Sequence, residues 1–94
     1  MNNAAMLFDY PAGSTPPVVM APALLGGSFS SVRVSAEACL DGGADVLHLD
    51  VMDGHFVPEI TFGTKMIAEL RAGLRPEAVL DVHLLCNDVD RMID

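Results

Sequence analysis

A chain of 94 residues with 13 acidic and 5 basic side chains carries a net charge of −8 and is long enough for one small domain with a modest core. The few Lys and Arg do not cluster, which argues against nucleic acid or an anionic membrane as partner, and the longest apolar run contains a proline and is far too short to span a bilayer. The start lacks a basic, then continuously apolar, leader, and Cys39 and Cys86 follow no pattern, so a reduced, cytoplasmic setting is expected.

Residues 1–17 stand apart in composition, with Asn2-Asn3, Gly13-Ser14 and Pro16-Pro17. They sustain no period and read as a flexible extension. Val18 to Leu25 fits a buried parallel strand with Pro22 near its end, and Gly26-Gly27 opens a loop. Ser30 or Ser31 can cap a helix whose Val32, Ala36, Cys39 and Leu40 share one face, and Gly42-Gly43 stops it. A strand follows at once through His48 and Asp50. Residues 52–62 then form a loop whose turn chemistry is Asp53-Gly54 and Pro58. A second helix is expected from about Gly63 to Ala72, with Met66, Ile67, Leu70 and Leu74 as its stripe. A third strand begins near Ala78, and Asn87 or Asp88 can cap a further helix. Such alternation implies right-handed parallel βα units. Periodicity alone does not separate a barrel from an open, doubly wound sheet.

Two of these strands carry the chemistry. His48 and Asp50 stand two apart, so both leave one face, while Leu47, Leu49 and Val51 fill the other. Asp81 and His83 repeat the arrangement, with Leu80, Val82 and Leu84 opposite. A half-buried antiparallel strand facing water would also alternate in this way. These polar faces, however, hold Val46, His48, Asp50 and Met52, then Val79, Asp81, His83 and Leu85, with none of the usual Lys, Arg, Thr or Glu. That mixture suggests an enclosed polar site.

The run from His48 to Gly63 (His-Leu-Asp-Val-Met-Asp-Gly-His-Phe-Val-Pro-Glu-Ile-Thr-Phe-Gly) resembles the signature of the ribulose-phosphate 3-epimerase family. The likeness includes Ala21-Pro22-Ala23-Leu24-Leu25 and Gly42-Gly43-Ala44-Asp45 upstream and Leu80-Asp81-Val82-His83-Leu84 downstream, and so covers about residues 18–94. It implies an α/β fold: the first three or so βα units of a (β/α)8 TIM barrel of the ribulose-phosphate-binding type. A full barrel takes about 250 residues, so residues 18–94 read as a partial barrel, truncated after the third strand and the start of the third helix.

The resemblance also implies epimerisation at C3 of D-ribulose 5-phosphate to D-xylulose 5-phosphate. The C3 proton is acidic because C2 is a carbonyl, and a divalent cation acts as Lewis acid on the substrate oxygens. Inversion requires an acid/base group on each face of the sugar. Asp50 matches the family carboxylate that serves as one base and as a metal ligand, and His48 and His83 match the two imidazole ligands. Met52 matches a methionine that packs over the substrate, and His83 also faces it. The second carboxylate and the phosphate-gripping loops belong to later strands, so the isolated chain is expected to be inactive. Two His with two carboxylates suit zinc, iron(II), manganese or cobalt alike. A small sugar phosphate is the implied partner, and a homo-oligomer is expected for the full-length form.

Asp81 reads as a buried structural hydrogen bond ahead of a residue that orients an imidazole. Asp53 reads as serving its turn, His55 as exposed, and Cys86 as core or loop. Ala23 stands where the family carries Ser, Ser28 where it carries Asp, Glu59 where it carries Asn, and Leu85 where it carries Met. These departures keep an allulose 6-phosphate epimerase, and a non-catalytic half-barrel that serves as an interaction module, open as alternatives.

Overall fold

In the computed structural model, residues 9–94 are described. Two parallel strands, β1 (Val46–Met52) and β2 (Val79–Leu85), form the sheet, and helices α1 (Val32–Asp41), α2 (Thr64–Gly73) and α3 (Val89–Ile93) alternate with them. The protein is thus α/β with a parallel sheet. Residues 1–8 of the expected extension lie outside the described part. Residues 9–17 are exposed and hold one turn, closed by the Ser14 amide on the Pro11 carbonyl.

Among the described residues the sheet has two strands rather than the expected three. The segment expected as a buried first strand does run parallel to β1. Met20 O accepts from the Asp45 and Val46 amides, Pro22 O accepts from the His48 amide, and Asp45 Oδ2 accepts from the Met20 amide at 2.8 Å. It forms one isolated bridge, Ala23 to His48, before a 3-10 turn at Leu24–Gly26. Pro22 has no N–H to give to a ladder, and Val18 and Met20 lie exposed instead of buried.

Leu24, Ala36, Leu47, Leu49, Leu70, Leu74 and Ala78 form the buried core, with Val32, Cys39, Leu40, Met66, Ile67 and Leu80 packed on it. The helical stripes and the apolar face of β1 therefore meet where the periodicity aims them. Leu47 and Leu49 are fully buried, each contributing about 1.5–3 kcal/mol of hydrophobic stabilisation.

Helix ends follow local chemistry. Ser31 occupies the N-cap of α1 without a side-chain bond, and Ser28 caps the preceding 3-10 turn by accepting from the Ser30 amide. A Schellman motif closes α1: the Ala44 amide reaches the Cys39 carbonyl, the Gly43 amide reaches Leu40, and Gly43 takes φ 102°. Asp88 caps α3 by accepting from the Arg91 amide. The α2–β2 connection is held by Arg71, which donates to the carbonyls of Arg75 and Ala78. Arg75 in turn donates to Glu37 at 2.8 Å and Asp41 at 2.7 Å on α1.

Candidate metal centre

The register of the two strands decides what the His and Asp side chains meet. His48 lies opposite Asp81, and Asp50 lies opposite His83. Because β1 reads His-x-Asp and β2 reads Asp-x-His, each imidazole faces a carboxylate across the ladder. The four groups form a two-by-two block on one face of the sheet, with Asp50 and His83 just past the strand midpoints toward the carboxyl ends and His48 and Asp81 just before them. Parallel αβ folds place their sites at those ends.

Asp50 is the hub. Its Oδ1 lies 3.1 Å from His48 Nε2 and 3.0 Å from His83 Nδ1. One donor atom each from His48, Asp50 and His83 falls within 4.8 Å of the others. On the far side, His48 Nδ1 lies 2.9 Å from Asp81 Oδ2. Both nitrogens of His48 therefore face carboxylate oxygens. A neutral imidazole has one N–H, so the second contact is satisfied only by protonating the ring or by placing a cation between the two lone pairs. The hydrogen bond to Asp81 raises the His48 pKa above its ordinary value; burial opposes this, and Asp50 adds to it.

This donor set fits a divalent ion. Two ligands at about 2.1 Å from a metal stand roughly 3.0–3.4 Å apart, the spacing that both imidazoles keep from Asp50 Oδ1. Mixed imidazole and carboxylate donors suit zinc, iron(II), manganese or cobalt.

The face is more open than its composition suggests. The Asp50 side chain is 13% exposed and His48 26%, but His83 is 54% and Asp81 59% exposed. No further layer covers β2 on this side among the described residues, so the expected enclosure is absent here. Asp81 also departs from its expected role: it makes no buried structural bond but a solvent-facing one to His48.

The loop after β1 holds the strand end that carries Asp50. Thr61 Oγ1 donates to the Asp50 carbonyl at 2.6 Å and accepts from the Met52 amide at 3.0 Å. The Thr61 amide donates to the Met52 carbonyl, and Asp53 bridges Ile60. Met52, on the face of His48 and Asp50, is half-buried at this junction. Gly54 takes φ 74°, and a Cβ there would stand 2.5 Å from Ile60 Cγ1, so a larger residue would strain the backbone and displace the Ile60 side chain. Asp53 does more than serve its turn. Its Oδ1 accepts from the amides of His55 and Phe56, both at 2.8 Å, and its Oδ2 from Asn87 at 3.0 Å. Those bonds, Asn87 first, hold the Asp53 carboxyl below the usual carboxylate range. His55 is exposed and contacts the Asn87 amide group. Cys86 is buried beneath this junction, and burial pushes its thiol up.

Thr61 and the contact of Asp81 are the parts that sequence reasoning misses. Thr61 carries no periodic signal, and the pairing of Asp81 with His48 depends on a register that the sequence pattern does not state.

A model of the Ribulose-phosphate 3 epimerase family matches residues 19–94. The chain belongs to the ribulose-phosphate 3-epimerase family. Among similar proteins, the ribulose-phosphate 3-epimerase of Aquifex aeolicus (strain VF5) is 40% identical over 75 residues, 80% of this chain and 33% of that protein. That of Rhodobacter capsulatus is 42% identical over 77 residues, covering 82% and 33%, and that of Escherichia coli (strain K12) is 39% identical over 75, covering 80% and 33%. The chain thus spans about a third of the length of the family members it matches. Among the described residues no helix is long and apolar enough to cross a membrane.

Proposed function

We propose that the protein takes part in epimerisation at C3 of D-ribulose 5-phosphate, giving D-xylulose 5-phosphate, as the names of its relatives suggest. The observation that carries this reading is the convergence of two imidazole nitrogens on one oxygen of Asp50. It is supported by the placement of Asp50 and His83 on the carboxyl-terminal halves of their strands. On the same reading, residues 18–94 form the first units of a (β/α)8 barrel preceded by an extension over 1–17. The second acid/base group and the phosphate-binding loops come from outside these residues.

His48, Asp50 and His83 would hold the divalent ion, which when bound supplies Lewis-acid polarisation of the substrate oxygens. Asp50 then acts as the base. Its carboxylate takes the C3 proton, and the electron pair left behind delocalises onto the C2 carbonyl oxygen as an enediolate. Low exposure limits the water that would otherwise compete for Asp50. Return of a proton from the opposite face completes inversion. His83 and Met52 face the place of the sugar and bound its pocket. Two free cysteines, Cys39 and Cys86, suit a reduced cytoplasmic compartment.

The test uses the intact protein that contains this chain, with ribulose 5-phosphate as substrate and metal content measured in parallel. His48→Ala and His83→Ala should lose metal and turnover together. Asp50→Asn should lower kcat by about 10²–10⁴-fold, the range of a general base. Exchange of the C3 proton with solvent at the parental rate in Asp50→Asn would exclude Asp50 as the base.

A further inference from the structure

We infer that Asp81 is a positioning residue: by accepting the Nδ1 proton of His48 it leaves Nε2 as a lone pair for the cation site shared with Asp50 and His83. The inference rests on the metal reading of the cluster and adds a residue that this reading does not use.

Two arrangements of a neutral His48 compete at this position. With the proton on Nε2, the tautomer that an imidazole side chain prefers in water, His48 would donate to Asp50 Oδ1 at 3.1 Å. That bond occupies the nitrogen and the carboxylate oxygen needed to hold a cation, and the site closes on itself. With the proton on Nδ1, His48 donates to Asp81 Oδ2 at 2.9 Å, and Nε2 and Oδ1 then meet as two electron pairs that only a cation reconciles. A carboxylate is a stronger acceptor than the water that would replace it, so Asp81 tilts the ring toward the second, open arrangement.

The placement of Asp81 favours this role over a structural one. It stands directly opposite His48 in the ladder, and among the described residues His48 is the group that its side chain meets. The side chain is 59% exposed, and an ion pair that open to water is worth little to folding. A carboxylate on the outer nitrogen of a ligating imidazole also fixes the angle of the ring and raises its basicity as a donor.

The experiment reads the tautomer and the metal separately, in the intact protein that contains this chain. Nitrogen-15 NMR of the metal-free protein, at a pH where the imidazoles are neutral, should show the His48 proton on Nδ1. In Asp81→Ala it should move to Nε2, whereas Asp81→Asn, which keeps an acceptor oxygen, should retain Nδ1–H. Zinc affinity, measured by competition with a chromophoric chelator, should fall about 10–100-fold in Asp81→Ala and recover in part in Asp81→Asn. An unchanged amide spectrum in both variants separates these effects from misfolding. A parental His48 protonated on Nε2, or Asp81→Ala with unaltered tautomer and zinc affinity, overturns the role of Asp81. Zinc retained by His48→Ala instead counts against the metal reading itself, so the two failures are told apart.

Discussion

Asp53 shows how much one carboxylate can organise without being buried. It gathers three backbone amides from two loops, those of His55 and Phe56 after β1 and that of Asn87 after β2. Its pKa is lowered because those N–H groups stabilise the charged form. For a carboxyl depressed in the folded state, the stabilisation is complete above the ordinary aspartate pKa and lost as pH falls through the folded value. The amide NMR signals of His55, Phe56 and Asn87 should therefore titrate together, with a midpoint below about 3.9, and the shared transition should vanish in Asp53→Asn. Three separate midpoints, or one at the ordinary value, would show that Asp53 does not join the loops. At this scale the sequence is legible where chemistry is local. Period-two spacing puts His48 with Asp50 and Asp81 with His83, and Asp53-Gly54 marks its turn. The crossed pairing of His48 with Asp81 is not legible, because it depends on a 33-residue register offset that the packing of α2 and its connections sets.

Among the elements, β1 is held differently at its two ends. Its start is tied to the preceding segment through Met20 and Asp45, and its end is tied by Thr61, whose hydroxyl takes the place of a neighbouring strand at Asp50 and Met52. Thr61→Val preserves shape but leaves the Met52 amide without its acceptor and the Asp50 carbonyl without its donor. The variant should lose about 1–3 kcal/mol of stability in denaturant unfolding, and Thr61→Ser should keep most of it. Equal stability of Thr61→Val and the parent protein would show that water serves both groups as well. The helices were readable from stripes and stops, since Leu70, Leu74, Ala36 and the Gly42-Gly43 pair act through local rules. The first strand falls short of a full ladder for a physical reason. Its apolar run has the composition of a buried strand, but Pro22 removes a ladder donor, and Val18 and Met20 find no cover among the described residues.

For the molecule as a whole, the uneven cover of the sheet governs behaviour. β1 is packed on its apolar face by α1 and α2, but among the described residues β2 has a free edge in the two-stranded sheet, and Val82 remains 39% exposed. A groove of about 540 Å³ runs beside it, lined by Ile67, Ala68, Leu80, Val82, Leu84 and Ile93 among others. Parallel strands are ordinarily buried on both faces, and an open edge beside apolar surface invites pairing with another chain. The net charge of −8 opposes this by mutual repulsion, so salt should tip the balance. The 94-residue chain produced alone should self-associate, its mass by light scattering rising as salt increases from about 0.05 to 0.5 M and the Debye length shortens severalfold. Val82→Lys, which places a charge beside the open edge and in the groove, should reduce association at every salt concentration. On the proposed mechanism, in which Asp50 serves one face of C3 while inversion needs both, the same preparation should show no epimerase turnover with zinc, iron(II), manganese or cobalt. A monomer that keeps its mass at high salt, or one that turns over ribulose 5-phosphate, would mean that the exposed face of β2 is stable uncovered and that one carboxylate suffices.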